Sequence, residues 1–95
     1  MTTARIITGT KTIKGKYIKG KHWWNNYWEE DKISDVLIIE YTENGKEKKA
    51  SIEGINSSCR RKAVDFLLQK GFNASKAEIA KFMTVKIDHL VLFHN

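Results

Sequence analysis

Asn44-Gly45 lies between Val36-Leu37-Ile38-Ile39-Glu40-Tyr41-Thr42-Glu43 and Lys46-Glu47-Lys48-Lys49-Ala50-Ser51-Ile52-Glu53, and it constrains this chain more than any other feature. Both residues tolerate positive φ, so together they suit a type I′ turn, whose twist matches that of the strands it joins. A two-residue turn leaves one register: Glu43 opposite Lys46, Tyr41 opposite Lys48, Ile39 opposite Ala50 and Leu37 opposite Ile52. Strand side chains alternate, so Leu37, Ile39, Tyr41, Ala50 and Ile52 fall on one face, which is expected to be core.

Helical spacing follows the hairpin. Ser57 or Ser58 is positioned to cap a helix whose apolar residues are Cys59, Ala63, Phe66 and Leu67, widened by Val64 and Leu68, with Gly71 ending it. Ser75-Lys76-Ala77-Glu78 reads as a capping box that opens a second helix, with Ile79, Ala80 and Met83 as its buried stripe. The segment from Val85 to Asn95 supports two readings. As a strand it sets Val85, Ile87, Val91 and Phe93 on one side; as a helix it would complete a helix-turn-helix from Ser75 to Asn95, packed through Ile79, Met83, Val85, Leu90 and Phe93. The strand is preferred. Thr84 stands where the helix-turn-helix turn favours glycine, Ile87 makes the reading face apolar, and Lys86 alone offers a contact to nucleic acid.

With 95 residues the chain is expected to form one domain around one core. Hydrophobic residues at 41% and charged residues at 29% are ordinary globular usage, which argues against disorder. The expected fold class is α+β: an antiparallel sheet of about four strands with the Asn-Gly hairpin, two helices packed on one face and a C-terminal strand. The apolar runs Val36 to Ile39 and Leu90 to Phe93 fall far short of the roughly 20 residues that span a bilayer, so no membrane contact is expected. Met1 to Ile7 holds no apolar signal core, and Cys59 is the only cysteine, read as a small residue on a helix face. Both features point to a cytoplasmic protein.

The charge is unevenly placed. Residues 1–28 hold Arg5, Lys11, Lys14, Lys16, Lys19 and Lys21 and no carboxylate, so the whole net charge of +6 comes from this part of the chain. A one-signed segment attracts polyanions or an acidic protein surface. From Lys11 to Lys21 apolar residues alternate with lysine, the pattern of an exposed ribbon that begins near Ile6 and folds back around Gly15 and Gly20. His22-Trp23-Trp24-Asn25-Asn26-Tyr27-Trp28 follows and contains all three tryptophans. If helical, it pairs Trp23 with Tyr27 and Trp24 with Trp28; the rings then either close one end of the core or stack on unpaired bases while lysines neutralise phosphates. Arg60 and Arg61, with Lys62, add positive charge to a helix first turn, where it opposes the helix dipole unless an anion binds there. The candidate nucleic-acid-binding residues are therefore Lys11, Lys14, Lys16, Lys19, Lys21, Trp23, Trp24, Trp28, Arg60 and Arg61.

Catalytic patterns are weak. Asp35 with Glu47 and Lys49 is similar to the acid plus Glu-x-Lys layout of metal-dependent nucleases, but the hairpin register sets Asp35 at the far end of the strand. His22, His89, His94 and Cys59 lack metal-ligand spacing, and neither a phosphate-cradling glycine loop nor a nucleophile elbow occurs. The expectation is a non-catalytic nucleic-acid-binding module, without metal or cofactor, whose partner is RNA or single-stranded DNA. The alternative is a small protein-binding regulator or inhibitor, such as a phage or other mobile element encodes, engaging an acidic or nucleic-acid-binding surface of a larger protein. A third reading buries the aromatic cluster against a second copy of the chain.

Overall fold

The computed structural model describes residues 2–94; the side chain of Trp23 lies outside the described set. In chain order the elements are β1 (Thr2–Ile13), β2 (Tyr17–Ile18), a 3-10 turn (Trp23–Asn25), β3 (Tyr27–Trp28), β4 (Lys32–Glu43), β5 (Lys46–Glu53), α1 (Ser57–Gln69), α2 (Lys76–Met83) and β6 (His89–His94). Asn44 and Gly45 take φ values of 53° and 78°, and β4 pairs with β5 through Glu43↔Lys46, Tyr41↔Lys48, Ile39↔Ala50 and Leu37↔Ile52. The main sheet is antiparallel in the order β5-β4-β1-β6, so the first strand of the chain is central and the last is an edge.

Alternation decides which side is core. Ala4 and Ile6 of β1, Leu37 and Ile39 of β4, and Leu90 and Leu92 of β6 are buried on one face with Ala63, Val64 and Leu67 of α1 and Phe82 of α2. Each such Leu, Ile or Phe contributes on the order of 1.5–3 kcal/mol by leaving water. Strand β6 excludes the helix-turn-helix. Its phase also differs from expectation: Leu90 and Leu92 point inward, Val91 and Phe93 lie about half exposed on the opposite face, and Val85 and Ile87 precede the strand.

The helix ends follow backbone hydrogen-bonding demand. Asn56, not Ser57 or Ser58, caps α1, its side-chain oxygen accepting the Cys59 N–H at 2.9 Å. At the other end Gly71, at φ 94°, donates to the Leu68 carbonyl and Phe72 donates to the Leu67 carbonyl, a Schellman closure that brings Phe72 onto Leu67 in the core. Ser75 caps α2 by accepting the Glu78 N–H at 3.2 Å, while the Glu78 carboxylate turns to Lys81. The same closure ends α2, with Val85 donating to Phe82 and Lys86 to Lys81, but here the positive-φ position (61°) is held by a β-branched residue. That costs roughly 1–2 kcal/mol and persists only where neighbours impose it.

Arg60 imposes it. The side chain is fully buried; Nε donates to the Ile55 carbonyl at 2.8 Å and Nη1 to the carbonyls of Phe82 (3.0 Å) and Ile87 (2.6 Å), on either side of Val85. The guanidinium lies over the Phe82 ring at 4.7 Å, and Nη2 approaches Asp88 at 3.6 Å. Arg60 is therefore not a phosphate contact: it is fully buried, and Nε and Nη1 are committed to the chain's own carbonyls. Tyr41 packs edge-on to Phe66, and Lys70 reaches both rings as it binds Glu43 at 2.7 Å. The other Glu43 oxygen accepts from Lys48 at 3.0 Å, so the hairpin end is tied to the end of α1.

Replacing Arg60 with Leu takes this donor from the part-buried Ile55 and Ile87 carbonyls, leaves the buried Phe82 carbonyl only its bond from Val85, and is expected to lower unfolding free energy by about 3 kcal/mol or more in denaturant titration. A loss under about 1 kcal/mol would contradict the pinning role. The hydrogen bond from Lys70, then that from Lys48, holds the Glu43 carboxyl below its ordinary value, and Lys70 is correspondingly raised. With the folded pKa of Glu43 depressed, the unfolded chain binds the extra proton, so this contribution to stability is present above the ordinary carboxylate range and is lost as pH falls below it. Glu43→Gln is expected to flatten the acid side of a stability-versus-pH curve; an unchanged acid limb would contradict the assignment.

Candidate nucleic-acid interface

The pairing of β1 with β4 continues past the sheet. Ile13 stands opposite Lys32, and four residues further along each strand Tyr17 stands opposite Trp28, so β2 and β3 extend the register without a slip. Strand β5 ends opposite Val36 and β6 begins opposite Ile7, which leaves residues 10–18 and 27–35 as a two-stranded arm. At roughly 3.3 Å per residue the arm is about 30 Å long. It accounts for a longest dimension of 60 Å and for a radius of gyration of 17.9 Å, where a compact chain of this length has about 12 Å.

Gly15 interrupts the ladder without reversing the chain. A Cβ there would occupy the space of the Glu29 carbonyl, so the strands cross too closely for any side chain. The Gly15 N–H donates to the Asp31 carboxylate at 2.6 Å, and the ladder resumes where Glu29 N–H donates to the Lys16 carbonyl at 2.9 Å. Reversal occurs in residues 19–26. There Gly20 N–H donates to the Asn26 side chain at 3.0 Å, and Asn25 N–H closes the 3-10 turn on the His22 carbonyl at 2.9 Å.

The aromatic segment is thus one tight turn and a short strand, not a helix. Tyr17 and Trp28 meet across the strands at 5.2 Å, and His22 stacks on Trp24 at 4.5 Å with parallel planes. Trp28 is 73% exposed, Trp24 62% and Tyr27 54%. These rings sit on the arm, so they do not close the core. The Trp23 side chain, one of the candidate residues, lies outside the described set.

Lys14, Lys16, Lys19 and Lys21 are exposed on the outgoing strand and tip, and they enter none of the ion pairs among the described residues. Lys11, nearer the sheet, reaches Glu53 at 4.0 Å. Arg61 is exposed but belongs to α1, packed on the sheet rather than on the arm. The arm therefore gathers Lys11, Lys14, Lys16, Lys19, Lys21, Trp24 and Trp28, and adds Tyr17, Tyr27, His22 and Ile33, which are absent from the sequence-based set. Tyr17 and Trp28 become partners only through the long register, for which a loop of residues 19–26 gives no local turn signal.

The chain matches no protein-family model, no curated protein and no solved structure. The site is therefore read from its own geometry. Asp35 lies beyond the last β5 rung while Glu47 pairs with Thr42, about 23 Å along the strand at roughly 3.3 Å per residue, so the nuclease-like trio is not assembled. Among the described residues no group of His, Cys, Asp and Glu is placed to hold a metal ion, and no helix is long and apolar enough to cross a membrane.

Proposed function

We propose that this is a non-catalytic nucleic-acid-binding protein that acts in the cytoplasm and uses its arm to bind single-stranded RNA or DNA. One observation carries the reading: the exposed Trp24 and Trp28 and lysines that enter no ion pair among the described residues share a hairpin that projects away from the core, where the core's own packing does not require them. A two-stranded ribbon of this kind is only marginally stable alone, and large exposed rings on it are favourable when a partner covers them. Bases stacked on Trp24 and Trp28 contribute on the order of 1–3 kcal/mol each, and Lys14, Lys16, Lys19 and Lys21 are spaced to neutralise neighbouring phosphates.

A second observation favours a protein partner. Ile33 is 77% exposed and Ile13 is 43% exposed, and aliphatic side chains offer a base no aromatic ring to stack on. The alternative is therefore a small regulator or inhibitor that inserts the same arm into an acidic or nucleic-acid-binding cleft of a larger protein, where Trp and Tyr are favoured anchors.

Tryptophan fluorescence titration with single-stranded RNA and DNA separates the two. Four phosphate contacts give a log–log salt slope near −3, so affinity is expected to fall about fifty-fold between roughly 50 and 200 mM salt. Changing Lys14, Lys16, Lys19 and Lys21 to Gln should abolish most of that dependence. Unchanged fluorescence with both polymers, in protein shown to be folded, would move the function to the protein-partner reading.

A further inference from the structure

Charge on the arm is divided between its two strands. The outgoing strand and tip carry Lys11, Lys14, Lys16, Lys19 and Lys21 without a carboxylate, whereas the returning strand carries Glu29, Glu30, Asp31 and Asp35 with Lys32 alone opposing them. Asp31 is occupied by the Gly15 N–H. Glu30 and Asp35 are exposed and Glu29 is half-buried; none of the three enters an ion pair among the described residues. The Asp35 carbonyl accepts from Gly54, which fixes the backbone there while its carboxylate stays in solvent.

This asymmetry bears on which nucleic acid fits. The duplex major groove, about 12 Å wide, admits a two-stranded ribbon but presents a phosphate wall to each of its edges. A ribbon with one basic and one acidic edge gains at one wall and is repelled at the other. A single strand has one phosphate line and can follow the basic edge to the tip, where His22, Trp24 and Trp28 offer ring faces, leaving the acidic edge in water. Neutral residues at 29, 30 and 35 would have served the fold equally, because, unlike Asp31, the carboxylates of Glu29, Glu30 and Asp35 hold no part of the ladder.

Resting on the nucleic-acid reading of the arm, we propose that Glu29, Glu30 and Asp35 are specificity residues that reject duplex and confine the arm to single strands. The acidic strand acts on choice of partner by repulsion rather than by contact, and mispairing with a duplex is penalised more than single-strand binding is helped.

The test is anisotropy of a labelled oligo-dT and of a labelled duplex of similar length, each titrated with wild-type protein and with a triple variant, Glu29→Gln, Glu30→Gln and Asp35→Asn, whose fold is checked by circular dichroism. Wild type is expected to favour the single strand by about ten-fold or more at low salt, and the variant to bring the two within about three-fold by tightening on duplex. Lys16→Gln on the opposite strand should weaken single-strand binding and leave the preference in place. Equal wild-type affinity for duplex and single strand would overturn the proposal while the nucleic-acid reading stands. A preference that the triple variant leaves intact would remove these carboxylates from the explanation. Binding of neither polymer by the folded protein would instead overturn the nucleic-acid reading itself.

Discussion

One antiparallel register organises the molecule. The pairing that sets Arg5 opposite Glu40 carries on to Ile18 opposite Tyr27, and its two halves meet different fates because the other strands stop. Where β5 and β6 flank it, the pair is the centre of a sheet and one face is covered by α1 and α2. Beyond them, each edge lacks a strand and each face lacks a layer, so the apolar side chains of both faces stand in solvent: Ile33, in phase with Leu37 and Ile39, on one, and Ile13, Tyr17 and Trp28 on the other. Core and arm are thus one structural device, divided by what covers it.

The sheet is thin, and its helical layer is held by apolar contact and by Arg60. Its guanidinium satisfies carbonyls from three places: Ile55 before α1, Phe82 in the last turn of α2, and Ile87 before β6. A buried cation is costly unless its donors are used, and here two nitrogens are committed while the third faces Asp88. The arrangement also explains why Val85 tolerates a backbone conformation suited to glycine: the carbonyls on both sides of that turn are anchored to one rigid fork. An arginine that stands in a basic triplet in the sequence is in this way removed from the surface, leaving Arg61 and Lys62 outside.

Features encoded by neighbours in sequence were legible; features encoded by distant pairing were not. Asn44-Gly45 specifies the β4–β5 register because the turn's conformational demand lies in the two residues themselves. Ser75 was readable as a cap for the same reason, whereas Asn56 was overlooked because two serines beside it offer the same chemistry. The α+β class and the C-terminal strand follow from apolar runs, but the phase of β6 depends on how β1 docks, and residues 85–88, strand-like in composition, are kept out of β6 where Arg60 anchors the Ile87 carbonyl. At the interface, lysine alternation revealed the basic strand. For the aromatic segment the sequence leaves helix open, because i, i+4 spacing and a strand-turn-strand path accommodate the same string; only pairing with Tyr17 and Ile18 decides between them.

If core and arm divide as described, the arm is dispensable to folding and indispensable to binding. The most direct measurement replaces residues 14–31 with Asn-Gly, joining Ile13 to Lys32 by a tight turn, and compares thermal unfolding and the anisotropy of a labelled single strand with those of the intact chain. The account predicts a cooperative transition within about 4 °C of the parent, because the Arg60 anchorage and apolar core are untouched, together with loss of binding. A shortened chain that fails to fold, or one that folds and still binds the strand, would contradict it.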